Sequence, residues 1–325
     1  MKVLVIGGSG QDAFYLAQFL SRYKVEIVWV YRNSIDHYCP YLLDETISFC
    51  KVDRYDIDSM IHLFVENNFR SCVLIAGAVG NQYARKCPGD VYSTNILLAN
   101  SIAALIQEYS PETHLYYFSS VDVMGSSSKE GPILFSPERL LGKVDTTYGL
   151  SKLHASEYLQ ALNVHGLISC TILYLGMHES FFRTGNYVLT KIKEIVNSLH
   201  EQSQPKPATF GNLDVEIDIG FARDYMSIVG QLILQKNTSK SVIIGTGIYT
   251  NLYDLCSSVL HEFGLRADEF IVSDQLVGKV YYPLVRFSHA GLSAESSFKS
   301  SVEQCYISPA PLNGSMLKYE YSSFN

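Results

Sequence analysis

Apolar residues in the first 175 positions recur with two alternating periods. Lys2–Ile6 is an unbroken run dominated by β-branched and aliphatic residues, which predicts a strand buried on both faces. Residues 7–10 form a glycine turn, and residues 11–23 carry Phe14, Ala17 and Leu20 at helical spacing. The alternation continues. Strands are expected at 25–30, 48–52, 71–75, 114–119 and 169–173. Helices are expected at 57–67, 90–109 and 148–162, with Ile96, Ala99, Ala103 and Ile106 along one face of the second. Such alternation builds a parallel sheet with helices on both faces, a doubly wound α/β architecture.

Beyond about residue 176 the rhythm changes. Loops lengthen, and two prolines stand among polar residues at 202–207. Helices are expected at 224–234 and 252–263, and one more strand at 241–245. From residue 283 periodicity is weak and serines are frequent. The expected organisation is a sheet domain over 1–175, to which segments near 215–250 return, and a smaller C-terminal substrate-binding lobe over 176–325. A ligand is expected between the lobes, at the carboxyl ends of the strands.

Composition narrows the function. Of 325 residues, 47% are hydrophobic and 18% charged, ordinary for a globular chain and contrary to overall disorder. A net charge of −7 argues against nucleic acid as the main partner, because a phosphate backbone demands clustered Lys and Arg. A small phosphorylated ligand needs only a local positive site. The seven cysteines, Cys39, Cys50, Cys72, Cys87, Cys170, Cys256 and Cys305, form no CxxC pair. Reduced thiols are expected, with no metal site and no disulfide framework. The apolar start stops at Gly7, too short for a secretory segment, and no later stretch is long enough to span a bilayer. A soluble cytoplasmic protein without a membrane partner is expected.

The first motif lies between the first strand and the first helix. Gly7-Gly8-Ser9-Gly10 lets the backbone approach a pyrophosphate seated on the helix N-terminus, and Ala13 takes the third glycine's place. A tight turn alone is the other reading. Gly7, Ser9, Gly10, Gln11 and Asp12 are the candidate cofactor contacts of a Rossmann domain. The second strand leads into Arg32-Asn33-Ser34, with no carboxylate between Trp29 and Ser34. Arg32 and Ser34 suit a 2′-phosphate, favouring NADP, with NAD possible; a solvated loop cation is the alternative. Asp53, after the third strand, is a candidate partner for the adenine amino group, and Ala76 joins the set after the fourth.

The second motif is Tyr148-Gly149-Leu150-Ser151-Lys152. Spacing i, i+4 puts Tyr148 and Lys152 on one helical face, where an ammonium stabilises a phenolate. Ser120 and Asp122 follow the fifth strand, where active-site residues collect. Ser120 can hydrogen-bond a sugar hydroxyl, and Asp122 is a candidate acid/base or a simple cap.

Together these residues resemble the extended short-chain dehydrogenase/reductase superfamily and, within it, the GDP-mannose 4,6-dehydratase family. The resemblance runs to about residue 265. It rests on Gly7–Asp12 with Tyr15-Leu16, on Met177-His178-Glu179-Ser180, and on Arg183, Gly185 and Val188 through Thr190-Lys191-Ile192. Gly211-Asn212-Leu213-Asp214 and Ala222-Arg223-Asp224-Tyr225 complete it. It implies a GDP-linked nucleotide-sugar substrate contacted by His178, Glu179, Ser180, Arg183, Val188, Lys191, Gly211, Leu213 and Arg223. It also implies oxidation at C4 through Tyr148, loss of water across C5 and C6, and return of the hydride to C6. The family's Glu for the C5 step stands where this chain has Asp122, its Arg where this chain has Ile217, and its Arg-Pro is altered at Tyr282-Pro283. An epimerase or 4-reductase on the same scaffold is the alternative enzyme. A non-enzymatic dinucleotide sensor is disfavoured by retention of Tyr148 and Lys152. His178, Glu179 and Ser180 serve equally well, on this reading, to order a loop. Packing of helices 90–109 and 148–162 across subunits, common in the superfamily, implies a homodimer or homotetramer.

Overall fold

The computed structural model describes residues 1–41, 44–78, 81–126, 144, 146–200, 203–273 and 280–282. The chain begins β1 (Lys2–Ile6), α1 (Gln11–Ser21), β2 (Glu26–Tyr31), β3 (Ile47–Lys51), α2 (Ile57–Glu66), β4 (Ser71–Leu74) and α3 (Asn81–Lys86). Then α4 (Pro88–Val91) runs through a π turn (Tyr92–Leu97) into α5 (Leu98–Tyr109), followed by β5 (His114–Ser120), α6 (Thr147–Val164) and β6 (Ser169–Leu175). The second half adds β7 (Met177–Glu179), α7 (Val188–His200), β8 (Ala208–Phe210), β9 (Val215–Phe221), α8 (Ala222–Leu234) and β10 (Ser241–Ile244). It closes with β11 (Tyr249–Asn251), α9 (Leu252–Glu262), α10 (Ala267–Phe270), β12 (Ile271–Ser273) and β13 (Val280–Tyr281).

Seven strands form one parallel sheet in the order β3-β2-β1-β4-β5-β6-β10. β1 has β2 on one side and β4 on the other. The chain reverses direction across the sheet there, which opens a crevice at the carboxyl ends of β1 and β4. Both faces are covered. Val3, Val5 and Trp29 belong to the core beneath α1 and α8, while Leu4, Ile6, Val28 and Val30 belong to the core beneath α2, α5 and α6. This two-sided burial explains why β1 reads as a continuous apolar run rather than an alternating one. α8 lies close on α1: a Cβ on Gly230 would stand 2.2 Å from Cδ1 of Phe19.

A second sheet caps the carboxyl end. β9 is its centre, paired antiparallel with β11 and parallel with β13 and β7. β8 and β12 form a separate parallel pair. Among the segments near 215–250, β10 pairs with β6 in the seven-stranded sheet and α8 packs on α1, whereas β9 is the centre of the second sheet. In β9, Val215, Ile217, Ile219 and Phe221 alternate with Glu216, Asp218 and Gly220, and Asp218 is buried as the acceptor for the Thr246 and Gly247 amides. Pro283 and the serine-rich stretch after it lie outside the described residues.

Candidate active site

The glycine turn sits at the crevice. Gly7 and Gly8 both donate their amides to the carbonyl of Val30, at 3.1 and 2.9 Å. Gly7 adopts φ +118°, and a Cβ on it would lie 2.4 Å from the amide nitrogen of Ala76, so only glycine fits between β1 and β4. A Cβ on Gly8 would lie 1.6 Å from Nε1 of Trp29, which is fully buried on β2. Gly10 is the N-cap of α1 and brings no side-chain cap. The first-turn amides of α1 are thus available to an anion, and the cradle fits a dinucleotide pyrophosphate. Ala13, the third position, is fully buried. Ser9 donates to the carbonyl of Asn33 at 3.4 Å, which ties the turn to the loop after β2. There the Arg32 guanidinium lies 5.7 Å from the ring centre of Tyr55, and Arg32, Ser34 and Asp53 are exposed. Asp36, which the motif reading passed over, accepts from the Ser34 hydroxyl at 2.8 Å. It stands two residues beyond Ser34, past the end of the segment in which a ribose-binding carboxylate is expected.

The catalytic candidates converge on one cavity of ≈ 280 Å³, lined by Ser120, Asp122, Tyr148 and Lys152 together with Asp12, His178, Glu179, Arg183 and Val188. Thr146 caps α6 by accepting from the Gly149 amide at 2.9 Å. A Cβ on Gly149 would stand 2.4 Å from the carbonyl oxygen of Asp122. This bare contact seats the Tyr148 turn directly on the strand end. Burial pushes the Tyr148 phenol far above its ordinary range, the Asp122 carboxylate raises it further, and a hydrogen bond from Ser120 opposes the rise. Lys152 donates to the carbonyl of Phe118 at 2.8 Å, and its Nζ lies 4.9 Å from the ring centre of Tyr117. Burial depresses its ammonium to about 7.

A residue the sequence reading missed fixes this helix from behind. Asn95, in the π turn and almost fully buried, donates to Ser151 Oγ at 2.9 Å and accepts from the Ala78 amide at 2.8 Å. Ser151 in turn donates to the carbonyl of Tyr148 at 2.7 Å. Its signal was an amide one turn before the apolar face that contains Ala99 and Ala103. π turns recur where a helix must re-aim one side chain.

The opposite wall is charged. Asp12, at the start of α1, meets His178 Nε2 at 3.0 Å, and Arg183 Nε meets Glu179 at 3.3 Å. Tyr187 lies under the Arg183 guanidinium, 4.9 Å away, and also lines the cavity. Beyond these groups and Ser119 the lining is mostly apolar, with Leu175, Leu189, Ile217, Ile219 and Leu252. Ser180 donates to Gln11 Oε1 at 2.6 Å. Lys191, Gly211, Leu213 and Arg223 are outside the lining of this cavity. Lys191 donates to the Thr209 carbonyl at 2.7 Å, and Gly211 accepts from Ser273 at 3.3 Å. The Leu213 carbonyl accepts from the Tyr253 amide at 3.2 Å. Arg223 faces Asp224 at 3.6 Å. No cluster of metal-ligating side chains occurs among the described residues. No helix among them is long and apolar enough to cross a membrane.

A doubly wound sheet, a glycine cradle at its switch point and a Tyr/Lys helix beside it define a nicotinamide-dinucleotide enzyme of the short-chain dehydrogenase/reductase class. Residues 3–245 match the NAD dependent epimerase/dehydratase family, and the chain belongs to it. It is similar to the GDP-mannose 4,6-dehydratase of Vibrio cholerae serotype O1, 23% identical over 292 residues that cover 82% of this chain and 72% of the relative. It is also similar to the human GDP-mannose 4,6 dehydratase, 26% identical over 265 residues covering 75% of this chain and 67% of that protein. Among solved structures, the RMD protein of Pseudomonas aeruginosa complexed with NADPH has a TM-score of 0.72 at 18% identity, covering 94% of this chain and 98% of that one. A UDP-glucuronic acid 4-epimerase mutant from Bacillus cereus, in complex with a UDP-sugar and NAD, has a TM-score of 0.77 at 17% identity with the same coverage.

Proposed function

We propose that this chain is an NADP-dependent nucleotide-sugar 4,6-dehydratase of the GDP-mannose type. The observation that carries the reading is that Ser120, Asp122, Tyr148 and Lys152 all line one cavity of ≈ 280 Å³. The GDP-mannose dehydratases among its relatives supply the substrate class. When bound at the glycine turn, NADP would supply the hydride acceptor for oxidation at C4 and the hydride for the later reduction at C6. Arg32 on its Tyr55 platform suits the 2′-phosphate.

The protein's own groups would act on the sugar. Tyr148 takes the proton of the C4 hydroxyl, with the Ser120 hydroxyl steadying its oxygen. Lys152 lowers the cost of the phenolate and orients the ribose of the cofactor. Asp122 removes the C5 proton as its carboxylate and hands that proton to the departing C6 hydroxyl, which leaves as water, so that the carboxylate is regenerated. Burial in a partly apolar cavity keeps bulk water from the oxidised sugar. A cytoplasmic homodimer or homotetramer, packed through α5 and α6, belongs to the same reading; Leu97 on the π turn, and Leu150 and Tyr158 on α6, are exposed there.

Incubation with a panel of nucleotide sugars, followed by mass, tests the proposal. Loss of one water from a GDP-linked hexose supports it. A product of unchanged mass with an altered ring identifies an epimerase instead. Asp122→Asn sharpens the distinction: dehydration collapses, whereas simple C4 redox survives.

A further inference from the structure

We propose that Gln11 and Asp12 form a positioning latch that couples dinucleotide binding at the glycine turn to the placement of β7, rather than serving as direct cofactor ligands. The inference rests on the reading of that turn as the cofactor cradle. It begins from an electrostatic oddity. The first turn of α1 is where a pyrophosphate would sit, and a carboxylate there repels an anion. Asp12 occupies that turn and lines the cavity.

The structure neutralises it from the other lobe. His178 Nε2 faces Asp12 Oδ1 at 3.0 Å, and Nδ1 faces the Gly176 carbonyl at 2.8 Å. Both partners are acceptors when Asp12 is ionised, so both ring nitrogens must donate and the ring is an imidazolium. Asp12 and His178 shift in the sense such a pair requires, the carboxyl downward and the imidazole upward, although burial works against both. The cation that cancels Asp12 therefore belongs to β7.

Two further bonds close the latch. Gln11 Nε2 donates to the His178 carbonyl at 3.1 Å, and Ser180 Oγ donates to Gln11 Oε1 at 2.6 Å. The same His178 carbonyl accepts from Arg183 Nη2 at 3.0 Å. One backbone oxygen is thus shared between the cofactor turn and the Glu179–Arg183 wall of the cavity. Gln11 and His178 are both buried, and the imidazole lies 4.9 Å from the Tyr225 ring of α8, tilted by 35°. A displacement at the turn is transmitted to the substrate side through groups that have no slack. By linkage the substrate side biases the turn equally.

Hydrogen exchange of a peptide spanning residues 177–183, with and without NADP, tests the latch without any turnover. Affinity is read in parallel from the emission of Trp29, the chain's one tryptophan, which lies against Gly8. In the wild type, NADP should slow exchange of that peptide by about fivefold or more. Asp12→Asn and Ser180→Ala should each bind NADP within about threefold of wild type, or tighter, yet lose most of the added protection. Asp12→Glu should restore part of it. A loss of NADP affinity beyond that threefold in Asp12→Asn would make Asp12 a cofactor ligand and overturn the proposal. Protection that persists in both variants would overturn it as well. If wild type binds neither NADP nor NAD, the cofactor reading fails first and separately.

Discussion

The two walls of the catalytic cavity are built by different means. The side toward the glycine turn is made of backbone: two glycine amides on the Val30 carbonyl, an uncapped helix start, and room left by absent side chains. The opposite side is made of side chains, two ion pairs with little exposure, Asp12–His178 and Glu179–Arg183. A wall of backbone is sensitive to volume and largely indifferent to charge. A wall of ion pairs is sensitive to charge, because removing one partner strands the other away from water. Substitutions on each side should therefore fail for different reasons.

The largest effect lies between the walls. Tyr148→Phe should cut turnover by about 10²- to 10⁴-fold while the affinity for NADP, measured by Trp29 emission, changes little. On the charged wall, Arg183→Met should destabilise the protein by about 3–5 kcal/mol in urea unfolding. Burial already holds the Glu179 carboxyl above its ordinary range, and Arg183 is a principal group opposing that. Adding Glu179→Gln should recover most of the loss. On the backbone wall, Gly8→Ala drives a methyl into the Trp29 indole and should cost about 1–3 kcal/mol. Trp29→Phe in the same chain, which removes the indole Nε1 that the methyl would meet, should recover part of the loss, although no charge has changed.

The smallest effect is a pH dependence. Lys152 is depressed by burial to about 7, so between about pH 7 and its unfolded value near 10.5 the unfolded chain binds more protons than the folded one. Stability rises with pH across that window, and the penalty for burying the ammonium is complete below it. Lys152→Met should therefore raise the melting temperature of the cofactor-free protein more at pH 6.5 than at pH 9.5. An equal rise at both would show that Lys152 is solvated.

The contrast between the walls also explains what was legible in the sequence. β1, the glycine turn and α1 follow from local rules: an apolar run, a backbone that must tolerate φ +118° at Gly7, and helical spacing thereafter. Tyr148 and Lys152 lie four residues apart on one helix, so their neighbourhood is also local. The Asp12–His178 pair spans 166 positions, and Asn95 reaches Ser151 across 56. No periodicity reports such a contact. The short strands β7, β8 and β11 have three residues each, too few for an alternation to register. α7 escaped prediction although its residues had been singled out as a motif; its apolar face, with Leu189, Ile192, Ile195 and Val196 buried, was in plain sight.

The π turn before α5 makes residue count, as well as residue identity, a requirement of the active site. One turn there holds an extra residue, and that surplus turns Asn95 inward toward Ala78 and Ser151. Deleting a single residue between 92 and 97 would restore ordinary helical winding and rotate Asn95 away from both partners. Ser120, Asp122, Tyr148 and Lys152 would all remain present. Length polymorphism at this helix, silent in any tally of catalytic residues, is thus predicted to separate active from inactive chains.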